Sequence, residues 1–278
     1  GLDIFYIRKT DSGWTEPKNI GYPINSPQDE LGLFVSTSGR IAYFSSFQDG
    51  NWNIYSFELY EEARPEEVVI LKGSVKNEDG SVSKGAKVQI HYDGSEELDE
   101  TIEVNEDDGS YATVVKVKKA ENISITVDKK GSSFAISRLK TLDIVNTLDK
   151  PTVIGELKIT PIKDGEKYEL EDILYETDSY DLTQESKFTL KCFKDYLMSN
   201  PNYSITIEGH TDDIGDAQDN LILSRNRAAG VKSYLIELGI DESRLSSVGL
   251  GESQPKFPNN SSLNRKNNRR TEFELRVE

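Results

Sequence analysis

The tightest constraint on this fold is a change of hydrophobic period along the chain. Up to about Ala135 the apolar residues alternate in short runs, among them LDIFYI, IAYFSS, WNIYSF, VVILKGSVK and NISITVDKK. Asp11-Ser12-Gly13, Ser38-Gly39, Gln48-Asp49-Gly50 and Asp79-Gly80 punctuate them. Alternation sends successive side chains to opposite faces of a strand, and glycine-bearing pairs close the hairpins between strands. From about Lys167 the pattern is mixed. KYELEDILYE reads as a strand, and Thr183 caps a helix whose apolar positions are Leu190, Phe193 and Leu197, ended by Asn200-Pro201. YSITIE is a short strand with Ile205 and Ile207 on one face. A longer helix is expected from Ala217 to Leu238, with Leu221, Ala228, Val231, Leu235 and Leu238 as its buried stripe and Gly239 closing it. LSSVGLGE, a polar loop and TEFELRVE complete the region. Strands that alternate with helices predict one sheet covered by helices on one face.

Composition narrows the chemistry. A chain of 278 residues is long enough for two or three domains. It has no run of eighteen apolar residues of the kind that spans a bilayer. The formal net charge of −16 opposes binding to nucleic acid or anionic lipid and favours solubility. Cys192 is the only cysteine, so an internal disulfide and a cysteine metal cage are excluded; its helical, apolar neighbours predict a buried, inert thiol. His91 and His210 are the only histidines, which excludes a three-histidine or H-E-x-x-H zinc site. The first residue is Gly1 rather than methionine, and we expect processing or truncation upstream of it. The charged, proline-interrupted stretch from Glu61 to Glu67 reads as a linker.

The densest chemistry lies in GHTDDIGDAQDNLILSRNRA, Gly209 to Ala228. Asp212 falls just past a strand, while Asn220 and Arg227 lie seven residues apart, almost two helical turns, and share a helix face. Asp212 and Arg227 admit two readings. They form a structural ion pair, or they stand apart and hold a zwitterion, Asp212 taking an ammonium and Arg227 a carboxylate. His210 has no serine or cysteine nucleophile to serve and reads as a hydrogen-bonder that fixes the loop. Asp212, Asp213, Asp216 and Asp219 lack the order of a calcium loop, and acids at a helix start complement its dipole. Arg265, Lys266, Arg269 and Arg270 read as a solvated rim.

Three resemblances follow. GLDIFY and GWTEPKNIGYPINSPQDELGLFVSTSGRIAYFSS, in residues 1–62, resemble the WD-like repeats of TolB-type β-propellers, and GLDIFYI recurs as NWNIYSF after about fifty residues. This is little more than one blade, so further blades are expected upstream. GSVKNEDGSVSKGAKVQI and DDGSYATV, in residues 67–145, resemble the carboxypeptidase-regulatory-like β-sandwich, here a spacer with no nucleophile or metal cluster. In residues 160–278, LYETDSYDLTQES, EGHTDDIGDAQDNLILSRNRAAGVKSYL, LSSVGLGESQP and NRKNNRRTEFEL resemble the OmpA-like domain of outer-membrane protein A, the Pal lipoprotein and the stator protein MotB.

The resemblances imply a multidomain chain: partial β-propeller blades, an all-β sandwich, then an α+β OmpA-like domain. The last is a βαβαβ-type mixed sheet with helices on one face. They also imply non-covalent binding of peptidoglycan through the diaminopimelate of its stem peptide. Asp212, Arg227 and Asn220 match the binding positions; Thr211 and Asp178 line the pocket, and Asp178 stands where other members carry Asn or Ser. No catalytic residue, metal or cofactor is implied. The order of the three parts resembles outer-membrane-associated proteins of Bacteroidota, which places the chain in the periplasm with a membrane anchor expected upstream. The alternative is a scaffold for a secretion or motor complex, in which propeller or sandwich grips other envelope proteins. A wall hydrolase would need an acid–base pair or a metal, which the histidine and cysteine counts disfavour.

Overall fold

The computed structural model describes residues 1–10, 12–93, 100–116, 122–140, 152–170, 173, 175 and 179–277. The chain forms two compact units. One holds Gly1–Gly73, Ala112–Asn122 and Leu139–Gly155; the other holds Ser74–Tyr111, Ile123–Arg138 and Glu156–Glu278.

In the first unit, β1 (Phe5–Tyr6) pairs with β4 (Lys18–Asn19), and β2 (Lys9–Thr10) pairs with β3 (Gly13–Trp14). β5 (Glu30–Val35), β6 (Ile41–Gln48) and β7 (Asn51–Glu58) form an antiparallel meander. Ile20, Ile24, Ala42, Phe44 and Leu59 are its buried core, with Leu33, Val35, Tyr55 and Phe57 packed on it. The meander has three strands, one fewer than a propeller blade, and no closed sheet occurs among the described strands.

The strands β8 (Val68–Asn77), β11 (Ser110–Lys116) and β14 (Thr152–Ile159) form a sheet in the order β11-β8-β14. A second sheet runs β10-β9-β12-β13, from Lys87–Tyr92 (β9), Glu100–Glu103 (β10), Ile123–Asp128 (β12) and Ile136–Leu139 (β13). The Asp79-Gly80 turn forms as the sequence predicts. Gly80 takes φ +81°, and Asp79 accepts hydrogen bonds from the backbone and hydroxyl of Ser81.

The C-terminal region of the second unit is a four-stranded mixed sheet. Its strands are β15 (Glu166–Glu169), β16 (Tyr203–His210), β17 (Leu245–Gly251) and β18 (Thr271–Val277), in the order β15-β18-β16-β17. β16 and β17 are parallel; β18 runs antiparallel to both its neighbours. Two long helices, α1 (Gln184–Ser199) and α2 (Ala217–Glu237), share one core with Ile205, Ile207, Phe273 and Leu275, residues of one sheet face. Both therefore cover the same side, as the pattern predicts. Thr183 caps α1 by accepting from Ser186 N–H, and Cys192 is buried within that helix. A short third helix, α3 (Ser262–Asn268), lies in the loop before β18.

The stripe on α2 departs from expectation. Ala228, Val231 and Leu235 are buried, but Leu221 and Leu238 are only half-buried, and the first half of the helix buries Asn220 and Ser224 instead. The cause is close backbone approach. A Cβ on Gly209 would stand 2.4 Å from the Ser224 carbonyl oxygen, and one on Gly249 would stand 2.3 Å from the Arg225 nitrogen. With no side chains between them, helix and strands touch main chain to main chain, and polarity replaces bulk. Ser224 Oγ donates to the Leu221 carbonyl and accepts from Gly251 N–H at 2.9 Å.

This packing is testable. Gly249→Ala forces strand and helix apart and costs about 1–3 kcal/mol, the usual cost of overpacking. Gly230→Ala, on the same helix but with its nearest neighbour at 3.6 Å, leaves stability unchanged or raises it. Thermal melts of the two variants therefore shift differently, and equal losses would refute the close-approach account.

Candidate functional site

Strand β16 delivers Gly209, His210, Thr211 and Asp212 to the sheet edge at the start of α2. Asp216 N-caps that helix, its carboxylate accepting from the N–H groups of Gln218 and Asp219, and Gly215 makes the turn at φ +102°. The intervening loop is pinned from the helix side. Asn220 Nδ2 donates to the carbonyls of Asp212 and Ile214 and, at 2.7 Å, to Glu252 Oε2. Thr211 N–H donates to Gly251 O at 2.9 Å, and its buried hydroxyl has no hydrogen-bond partner among the described residues.

Asp212 is buried and both carboxylate oxygens are engaged. Oδ1 accepts from Ile214 N–H at 3.1 Å, and Oδ2 is ion-paired with Arg269 Nη1. The solvated rim expected here forms in part: Arg269 is exposed but holds Asp212, Arg265 holds Asp213 at 2.8 Å, and Arg270, its side chain buried, holds Glu272 at 2.7 Å. The Arg265 guanidinium lowers the carboxyl pKa of Asp213 below its ordinary value. Asp213 and Asp212 are thus matched by arginines and Asp216 by helix N–H groups, which leaves the aspartate cluster without the converging carboxylates of a calcium loop.

Arg227, almost two turns along α2 from Asn220, has separate supports. Its Nε and Nη2 donate to the Ser179 carbonyl at 3.3 and 3.1 Å, and its guanidinium stacks 4.5 Å from the centroid of the Tyr175 ring. Burial raises the pKa of the Tyr175 hydroxyl, which bonds with Thr271. Asp178, the fifth expected site residue, lies outside the described residues.

His210 differs from expectation. Its backbone N–H donates to Arg270 O, but among the described residues its ring makes no well-formed hydrogen bond, only the close approach of Nε2 to Glu272, so it does not fix the loop through its ring. The imidazole is buried between Glu208 and Glu272, directly opposite one another on β16 and β18, with Nε2 at 3.8 and 3.4 Å from their carboxylates. Like charges in that position repel. Lys167, 2.6 Å from Glu208, and Arg270 balance them one for one. The ligand atoms of the trio lie within 4.8 Å of one another, and Lys167 and Arg270 neutralise its two carboxylates.

Sequence reasoning missed Arg269 as the partner of Asp212, Glu252 as that of Asn220, and Tyr175 as the shelf under Arg227. Each lies far along the chain from the residue it holds, with no spacing to announce it.

The comparisons with known proteins fall on this same region. Residues 174–269 match the model of the OmpA family. The C-terminal region is OmpA-like. Outer membrane porin F of Pseudomonas aeruginosa is 35% identical over 108 residues, 38% of this chain and 31% of that protein. The peptidoglycan-associated lipoprotein of Rhizobium meliloti is 36% identical over 83 residues, 30% of this chain and 47% of that protein. Among solved structures, the peptidoglycan-associated lipoprotein of Burkholderia pseudomallei is 29% identical, with a TM-score of 0.35, covering 37% of this chain and 88% of that one. The chain thus spans less than half the length of these two curated relatives. An OmpA-like domain is a binding scaffold rather than an enzyme.

The charge network carries a pH prediction. His210 first, and then Arg270, hold the Glu272 carboxyl down at about 2, against an ordinary 4.5. A depressed carboxyl stabilises the fold above its unfolded value and loses that contribution as pH falls toward the folded one. Here the loss runs from about pH 4.5 to about pH 2, worth at most about 3 kcal/mol and less where solvent screens the group. Glu272→Gln should flatten the acid limb of unfolding across that window. An unchanged limb, followed by circular dichroism against pH, would count against the network.

Proposed function

We propose that the OmpA-like domain binds peptidoglycan non-covalently through the diaminopimelate of the stem peptide, and so ties an outer-membrane-associated protein to the wall in the periplasm. The observation that carries this reading is the separate support of Asp212 and Arg227. Asp212 is held by Ile214 N–H and by an arginine from the loop before β18; Arg227 is held by a carbonyl and a ring. A zwitterion needs two charges fixed independently. The match to the OmpA family, and to relatives whose names place them at the outer membrane or with peptidoglycan, points the same way.

Binding is an exchange. The side chain of Arg269 is 47% exposed while that of Asp212 is 9% exposed, so the arginine is the partner that swings away. The ammonium of diaminopimelate then replaces it on Asp212, and the ligand carboxylate meets Arg227, whose plane Tyr175 fixes. Asn220 keeps the loop closed beneath, and the Thr211 hydroxyl offers a donor and acceptor at the pocket wall. A charge-assisted hydrogen bond contributes about 1.5–3 kcal/mol net, so a single site is modest in affinity. Peptidoglycan repeats the ligand densely, and tethering raises its effective concentration. In the same reading residues 1–62 and 67–145 are a partial propeller and a regulatory-like sandwich that carry this anchor.

Calorimetric titration of the full chain with a diaminopimelate stem peptide tests the assignment. Asp212→Ala and Arg227→Ala should each weaken binding at least tenfold, and a stem peptide lacking the second carboxylate should bind as poorly to the wild type as the first does to Arg227→Ala. Absence of heat, together with failure to sediment with purified sacculi, would sink the proposal.

A further inference from the structure

The pairing that sets Glu208 opposite Glu272 leaves one group unexplained. Lys167 and Arg270 answer the two carboxylates, but nothing answers the imidazole between them. His210 is 2% exposed, and neither ring nitrogen makes a well-formed hydrogen bond among the described residues. A buried polar group left unpaired is costly, so its retention calls for a cause. Nε2 instead approaches both carboxylates, at 3.8 Å from Glu208 Oε2 and 3.4 Å from Glu272 Oε2. Both separations exceed the usual hydrogen-bond length. They match a different contact. With zinc bonds of about 2.0–2.2 Å to nitrogen and oxygen, neighbouring ligand atoms on a tetrahedron stand roughly 3.3–3.6 Å apart. One ligand atom from each of the three residues lies within 4.8 Å of the others, so small side-chain movements close the trio on an ion.

We propose that Glu208, His210 and Glu272 form a site for one divalent transition-metal ion, Zn²⁺ by its ligand set, which staples β16 to β18. An imidazole with two carboxylates suits zinc better than magnesium or calcium, which take oxygen ligands. Each ligand is already aimed. Glu208 and His210 are two apart on one strand and share a face, and Glu272 is the direct cross-strand partner of Glu208. Arg270 holds Glu272 through Oε1 at 2.7 Å, which orients the carboxylate and leaves Oε2, the atom near His210, for the metal. Lys167 is the group that must leave. Its ammonium is 2.6 Å from the Glu208 Oε2 that the metal would take, and its side chain is 40% exposed against 7% for Glu208. Its departure opens the fourth position to water. His210 Nδ1 lacks the outer hydrogen bond that usually backs a ligating histidine, so the affinity is micromolar rather than nanomolar. Rival nitrogen and sulfur ligands are few. Cys192 is buried within α1, and His91, the other histidine, bonds through Nε2 with Thr126 at 3.0 Å.

Calorimetric titration of the chelator-treated full chain with Zn²⁺ tests the site. One ion per chain is expected, with a Kd of about 1–10 µM. His210→Leu and Glu272→Gln should each weaken binding roughly tenfold or more. Lys167→Met, which removes the competing ammonium at a partly exposed position, should tighten it severalfold; a gain of this kind does not arise from a damaged fold. Arg227→Ala should bind zinc as the wild type does, and no stem peptide is present, so the result is independent of the peptidoglycan reading. Absence of saturable binding at about 100 µM Zn²⁺, an affinity unchanged in both ligand variants, or a weaker site in Lys167→Met would each overturn the assignment.

Discussion

The end of the OmpA-like region that carries the candidate site depends on one contact without side chains. Gly209 and Gly249, neighbours in register on parallel strands, let the backbone of α2 at Ser224 and Arg225 rest directly on the sheet. Distances of 2.3–2.4 Å from a hypothetical Cβ leave no room for any other residue. The helix is thereby fixed against the strand ends at its first half, the half from which Asn220 and Arg227 project. Apolar packing through Ala228, Val231 and Leu235 secures the second half. One helix uses two fastenings, a dry one for stability and a close polar one for placement.

The same region shows how a chain so rich in acid keeps a buried carboxylate in place. On the sheet face away from the helices, Glu208 and Glu272 are each answered by one cation, with His210 between them. At the loop, Asp212 and Asp213 are answered by Arg269 and Arg265. Three of these four acids take their partners from one short stretch, the end of α3 and the start of β18. That stretch acts as an electrostatic clasp on the loop after β16, and it ties the two ends of the region together across some fifty residues of chain.

Much of this was legible in the sequence because local rules govern it. The Thr183 cap, the Asn200 stop, the Asp79-Gly80 turn and the strand YSITIE rest on residues within four positions of one another, and each forms as read. One sheet with both helices on one face follows from the period, whereas its mixed strand directions are implied only by the OmpA-like resemblance. The buried stripe of α2 was misread at Leu221 because nothing local distinguishes a helix that meets leucines from one that meets glycines on distant strands. His210 was misassigned for a related reason: its neighbours Glu208 and Glu272 come from two strands, and only pairing brings them together. The candidate site residues are singled out by motif, whereas the groups that hold them, Arg269, Glu252 and Tyr175, are not, since long-range contacts leave no periodic trace.

If the pocket takes the zwitterion proposed above, the Arg269–Asp212 pair gives it the character of an ion exchanger. An incoming ammonium would then replace a guanidinium already there rather than meet a bare carboxylate, so the charge at Asp212 would be compensated before and after. A bare site would release or capture counterions on binding and would loosen steeply as salt rises. An exchange of one cation for another leaves that balance nearly unaltered. On that proposal, grip at this end would be set by how well the ammonium fits beside Asp212 relative to Arg269, and only weakly by the ionic strength of the fluid around it.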